Sequence, residues 1–242
     1  MAALQGSSLA VAAIVAAGAT LQGCVGIGFA VLAAPLLLIL APELVPGPIL
    51  LLGTILAAMT TGFELRSVHL GDLGLALSGR IAGTAAAGAV IALLPMTVFA
   101  TVFALIILAA VAVSLGRWHV LPTPRNLIAA GALSGFMGTI TSVGSPPIGL
   151  VYQNMPGPRL RATVSAFFML GAAFSLLTLA LVGRFTLAQV VATAWLVPAV
   201  LVGFLLSRLL VGHVDRRRDG IKLAVLAVSA AAALVLLLKS LL

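Results

Sequence analysis

The sequence predicts an all-α polytopic membrane protein built from two inverted-topology repeats. Each repeat is an interrupted, re-entrant helix hairpin followed by three transmembrane helices. Three observations predict this. Hydrophobic residues make up 62% of the chain and charged residues only 7%, against about 25% charge in a soluble domain. Two long apolar stretches are broken by glycine, one of them also by a proline pair, at corresponding places. Lys and Arg fall mainly in short loops between apolar runs, where they set orientation in a membrane.

The first repeat covers residues 1–116. Its opening segment, residues 7–41, is apolar for longer than one crossing of about 20 residues requires. Gln22-Gly23-Cys24-Val25-Gly26-Ile27-Gly28 interrupts it, with Pro35 beyond, so two shorter helices around a break are expected. Spans near 47–65, 73–94 and 96–116 follow, punctuated by Pro46, Gly71-Asp72 and Pro95. Residues 117–126, with Arg117, His119 and Arg125, form a polar linker expected in the cytoplasm.

The second repeat covers 127–242 and opens with the interrupted segment 127–154. Pro146 and Pro147 each remove a backbone donor and clash with the preceding turn. A helix, a loop lined by Thr139, Thr141, Ser142, Gly144 and Ser145, and a second helix are expected. In a bilayer such irregular backbone survives only where it is buried in protein or lines a polar cavity. Spans near 162–183, 187–211 and 221–241 complete the chain.

The two broken segments align: Gly23, Gly26 and Pro35 recur as Gly135, Gly138 and Pro147, and further on Gly88 pairs with Gly203. If each segment crossed the membrane, Arg66, Arg117, Arg125 and Arg184 would oppose Arg159, Arg161, Arg208 and Arg216-Arg217-Arg218. If each is a re-entrant hairpin, nearly all of these share one side, and only Arg184 and Lys239 face the other. The positive-inside rule prefers the hairpins. This arrangement inverts the second half, puts both termini outside the cytoplasm and brings the hairpin tips together near the midplane.

The net charge of +8 does not indicate nucleic acid, because no aromatic-interleaved basic patch of the kind that binds single strands occurs. Cys24 is the only cysteine and is expected as a small buried residue. No Lys or Arg precedes Arg66, so the first helix is expected to stay in the fold rather than serve as a signal. His69, His119 and His213 lie in loops without metal-ligand spacing, and no phosphate-binding loop appears. No enzyme activity and no cofactor are expected.

GCVGIGFAVLAAP (Gly23–Pro35) and GFMGTITSVGSPP (Gly135–Pro147), followed by PGPRLRATVSAFF (Pro156–Phe168), resemble the TauE/SafE family of sulfite exporters. In this resemblance Phe29-Ala30 stands where glycines are frequent and Ser145 where glycine is usual. The resemblance implies a multi-pass protein of the inner membrane carrying a small sulfur oxyanion or organosulfonate out of the cytoplasm. The residues suit that cargo independently. A helix restarting after a break presents unpaired N–H groups and a partial positive charge to an anion. The expected binding set is Gln22, Gly26, Gly28, Thr139, Thr141, Ser142, Gly144 and Ser145.

Plainer readings stand beside these. Small residues let membrane helices pack, and intramembrane Ser and Thr often bond the preceding turn. Arg80 lies inside a span, where it either attracts the anion or, as the first expectation, snorkels to the headgroups. Tyr152, Gln153 and Asn154 are expected at the membrane interface, with a gate role second. Glu64, Arg66, His69 and Asp72 are read as a solvated edge, and Arg216-Arg217-Arg218 as an anchor on anionic lipid. The apolar surface is compatible with a homodimer. Uptake of another small anion and a non-transporting membrane scaffold are the alternative functions.

Overall fold

The computed structural model of the chain describes residues 2–93, 95–116, 120–214 and 218–241. The described residues form α-helices and short 3-10 turns, with no strand. The helices are α1 (Ala2–Val25), α2 (Phe29–Leu40), α3 (Gly47–Glu64), α4 (Leu70–Leu93), α5 (Met96–Leu115), α6 (Pro124–Thr141), α7 (Ser145–Tyr152), α8 (Gly157–Leu181), α9 (Leu187–Thr193), α10 (Val197–Val214) and α11 (Arg218–Leu241). Six described stretches are long and apolar enough to cross a bilayer: Ser8–Val25, Gly47–Ser67, Leu70–Leu93, Val98–Leu115, Gly157–Leu181 and Leu187–Gly212. The expectations for Arg117, His119, Arg216 and Arg217 lie outside the described residues.

Both breaks occur where glycine and proline foretell them. The first opens at Gly26 and Gly28, with φ of 86° and 121°, values that favour a residue without Cβ. The second opens at Ser142, with φ 66°, and α7 restarts with Pro146 and Pro147 in its first turn, where missing donors cost nothing. Two details differ from expectation. The first arm of the opening segment is not a short helix: α1 has 24 residues and is by itself long enough to cross. The expected span 187–211 is present as Leu187–Gly212 but carries a 3-10 turn, Ala194–Leu196, between α9 and α10, where Pro198 cannot donate to the Ala194 carbonyl and crowds it.

Glycine rows decide how the helices meet. Gly79 and Gly83 of α4 face Gly131 and Gly135 of α6 so closely that a Cβ on Gly83 would lie 1.9 Å from the Ala132 carbonyl oxygen. On Gly79 it would lie 2.0 Å from that of Ile128. Backbone contact of this kind holds membrane helices together by packing, since lipid gives them no hydrophobic drive. α1 meets α10 in the same manner, with Gly203 against Ala16 and Thr20. Gly203 therefore packs as Gly79 does and not as Gly88, which faces Thr178 of α8.

The helices on either side of each break pack on one another: Phe29 lies beside Gly18, and Gly144 lies beside Gly138 and Ser134. Elsewhere α3 packs on α8, α5 on α11, α2 on α11 and α7 on α5.

Ion pairs gather one end of the bundle. Arg161 clasps Glu64 through Nε at 3.0 Å and Nη2 at 2.9 Å, and Arg208 reaches the same carboxylate at 3.4 Å. Asp72 meets Arg159 at 3.4 Å and His69 at 3.1 Å. Glu64 is thus part of a mostly buried ionic cluster and not of a solvated edge. At the opposite end, the Ser142 hydroxyl donates to the Pro46 carbonyl at 2.8 Å and the Gln189 amide to that of Glu43 at 3.4 Å. The two breaks pack on different parts of the bundle: Gly26 on Leu160 and Arg161 near the charged end, and Ser142 on Pro46 near the other.

The glycine contacts give a stability prediction. Gly79→Ala forces a Cβ against the α6 backbone and is expected to cost about 1–3 kcal/mol. Gly74→Ala, on the same helix with nothing within 4 Å of the new Cβ, is expected to be neutral or slightly stabilising. Thermal unfolding of both variants in detergent checks the difference.

Candidate functional site

The hydroxyls at the second break divide into those used by the fold and those facing space. Thr141 donates to the Met137 carbonyl at 2.8 Å and accepts from the Val143 N–H at 3.1 Å. Thr139 donates to the Gly135 carbonyl at 2.7 Å and lies 2.9 Å from the Ser175 hydroxyl. Both side chains are buried within the bundle, and neither lines the three cavities described below. At the first break, the Gln22 side-chain carbonyl accepts from the Phe29 N–H at 3.3 Å and so caps α2.

A cavity of about 40 Å³ joins the two breaks. Gln22, Phe29 and Ala30 line it from the first, and Ser142, Gly144 and Ser145 from the second. α3 contributes Ile49, Leu50 and Gly53, α8 contributes Phe168 and Ala172, and α4 contributes Arg80. The helix restarts at Phe29 and Ser145, rather than the hairpin tips, therefore converge. Gly26 lies elsewhere, packed on α8. Gly28 lines a second cavity of about 270 Å³, together with Ser145, Ser114, Gln153 and Asn154. Ser145 borders both spaces. A third cavity, of about 300 Å³, lies at the other end between Glu43, Pro46, Arg184 and Gln189. Tyr152 is 1% exposed, in a cluster with Leu73, Leu127 and Leu160. It faces the inside of the bundle rather than lipid.

Arg80 is the unexpected member. It is 1% exposed and does not snorkel. Its Nη1 donates to the Ser134 hydroxyl at 2.9 Å, and its guanidinium lies over Phe167 and Phe168, 5.0 and 5.7 Å from the ring centres. Nε has no partner. The absence of Cβ atoms leaves room for the group: one on Gly171 would fall 1.9 Å from Nε, and one on Gly144 would fall 3.1 Å from Nη1. Ser134 passes the contact on, since its hydroxyl donates to the Gly144 carbonyl in the second break. Among the described residues Arg80 forms no ion pair; the carboxylates of Glu64 and Asp72 serve Arg159, Arg161, Arg208 and His69. Snorkelling fails because α4 is pinned to α6 one residue earlier, at Gly79, which aims Arg80 into the helix seam.

A buried guanidinium without a carboxylate, beside serine hydroxyls and small residues, suits a small anion. A family model described as Sulfite exporter TauE/SafE matches residues 10–236. The chain belongs to the TauE/SafE family. No curated protein and no solved structure matches it. The family is one of membrane transporters for sulfite and related anions, which accords with the all-helical fold and its apolar spans.

In this TauE/SafE chain the residues that sequence reading missed are Ser134, Phe167, Phe168 and Gly171. Their only sequence signal is indirect: an arginine inside an apolar span needs partners, and the glycine rows say which faces touch. Ser134→Ala deprives both Arg80 and the Gly144 carbonyl of a hydrogen bond. It is expected to cost about 1–3 kcal/mol, read as a lowered thermal unfolding midpoint of the purified protein.

Proposed function

We propose that the chain is a secondary transporter of small oxyanions and that its cargo is sulfite leaving the cytoplasm. The anion sits beside Arg80, between the restarts of the two broken helices. The observation that carries this reading is a fully buried arginine, without a carboxylate, in a cavity bordered by both breaks. A scaffold whose breaks served only packing would gain nothing from burying an unpaired cation, which costs several kcal/mol. Cavity size favours sulfite over long organosulfonates. A buried water needs about 10–15 Å³ of such volume, so a space of about 40 Å³ takes an ion of a few heavy atoms.

The two halves are read as inverted repeats, 1–116 and 127–242, joined by a cytoplasmic linker. Helix pairing supports this reading. α1 with α10 corresponds to α6 with α4, α2 with α11 corresponds to α7 with α5, and α3 meets its counterpart α8. The gathering of Arg159, Arg161 and Arg208 with Glu64 and Asp72 supports re-entrant hairpins, with that end facing the cytoplasm and both termini outside. In this orientation the 270 Å³ cavity, with Gln153 and Asn154 at its polar wall, is the inner approach to the site. The 300 Å³ cavity is the outer one. Alternating access then consists of opening Ser145 to one side and Ser142 to the other.

Counterflow of labelled sulfite into liposomes containing the purified protein tests the proposal. Arg80→Gln is expected to lower the flux about thirtyfold or more, as loss of a buried charge partner does, while the variant stays folded. Wild-type flux in the Arg80→Gln variant would overturn the assignment of the site.

A further inference from the structure

The arginines at the charged end and the arginine at the site differ in one respect. Arg161 and Arg208 share Glu64, and Arg159 has Asp72. Arg80 is more deeply placed and has only neutral partners, the Ser134 hydroxyl and, at 3.5 Å, the Ser134 carbonyl, with two aromatic faces. The chain has no Asp or Glu between Asp72 and Asp215, so the helices packed around Arg80, α6 and α8, supply no carboxylate at all. What faces the guanidinium is Ser134 and Gly138 of α6, Phe167, Phe168 and Gly171 of α8, and Gly144 in the second break.

This matters for the return half of a transport cycle. A carrier that alternates between two openings passes through a closed arrangement in which the site is screened from water on both sides. With an anion beside it, Arg80 makes that passage as a compensated pair. Without one, a bare cation crosses the closed arrangement, and removing the partner of a buried charge is among the costliest changes a protein interior undergoes. A nearby carboxylate, arriving as the anion leaves, would relieve this cost, and no described carboxylate is within reach.

We infer that the protein works as an anion exchanger: it releases one anion outward and returns loaded with another small anion, instead of returning empty. The inference rests on the reading of the Arg80 cavity as the anion site, and it adds the class of counter-substrate, an inorganic anion small enough for about 40 Å³.

The test uses the full-length wild-type protein in liposomes loaded with labelled sulfite, at a pH where the neutral acid is negligible. Potassium with valinomycin clamps the membrane potential, so that charge build-up does not limit net efflux. Efflux is measured with sulfite, or with chloride, outside, and again with only a bulky organic anion such as gluconate outside. Exchange predicts efflux at least about tenfold faster with a small external anion, as the cost of an uncompensated buried charge requires. Equal rates in all three media would overturn the exchange inference and leave the site reading standing. Absence of protein-dependent efflux in every medium would overturn the site reading and the exchange inference with it.

Discussion

A guanidinium screened from water on every side constrains the rest of this bundle. Desolvating it costs several kcal/mol, and a cation over an aromatic face returns about 0.5–2 kcal/mol. One hydrogen bond to Ser134 adds a comparable amount. The local chain therefore compensates the charge only in part. Its position is nonetheless tightly specified. Successive residues on a helix point about 100° apart, so the contact of Gly79 and Gly83 with α6 leaves Arg80 directed at the seam between α6 and α8. Gly144 and Gly171 open the space it occupies. The glycine rows that let backbones touch and the cation that faces the cavity are parts of one arrangement.

Most polar groups elsewhere follow the rule that an apolar medium imposes and find a partner close by, although Thr61, Tyr152 and Ser165 keep buried hydroxyls without one. Thr60, Thr139, Thr141, Ser175 and Ser229 all donate to carbonyls one turn earlier on their own helices. Gln22 serves α2 as its cap. The groups bordering the 40 Å³ cavity differ from these in charge and position, because Arg80 keeps a cationic Nε unpaired there and Ser145 sits at the start of a helix between two cavities.

The breaks were legible because their causes are local. Gly26, Gly28 and the Pro146-Pro147 pair act on their own backbone, whatever packs around them, and the apolar spans follow from composition alone. The side chains were read less well, since a hydroxyl's partner depends on which helix face it occupies. Thr139 and Thr141 carry the same chemistry as Ser145, yet both lie where a preceding carbonyl is in reach, while Ser145 begins its helix and has none. Arg80 was read toward the headgroups because snorkelling is what a free helix would permit. Only the α4–α6 backbone contact, a property of two segments far apart in sequence, forbids it. Which backbone Gly203 meets depends on the same kind of information: it packs on α1 as Gly79 packs on α6.

The two ends of the bundle are held by interactions of different strength. At the charged end, Glu64 is shared by Arg161 and Arg208, which ties α3 to α8 and α10 through mostly buried charges. Breaking such a pair by removing one partner costs about 3–5 kcal/mol. At the other end, Ser142 holds Pro46 through one neutral hydrogen bond, worth about 0.5–1.5 kcal/mol. The weaker contact lies on the second break itself, one side of the cavity that Arg80 lines, and the stronger lies beyond the first break, where Gly26 rests on Arg161. Separating the bundle at the Ser142 end therefore disturbs the cavity wall directly and breaks only neutral hydrogen bonds, those of Ser142 with Pro46 and Gln189 with Glu43, besides apolar packing. Separating it at the Glu64 end requires the ionic cluster to move as a unit or to exchange partners.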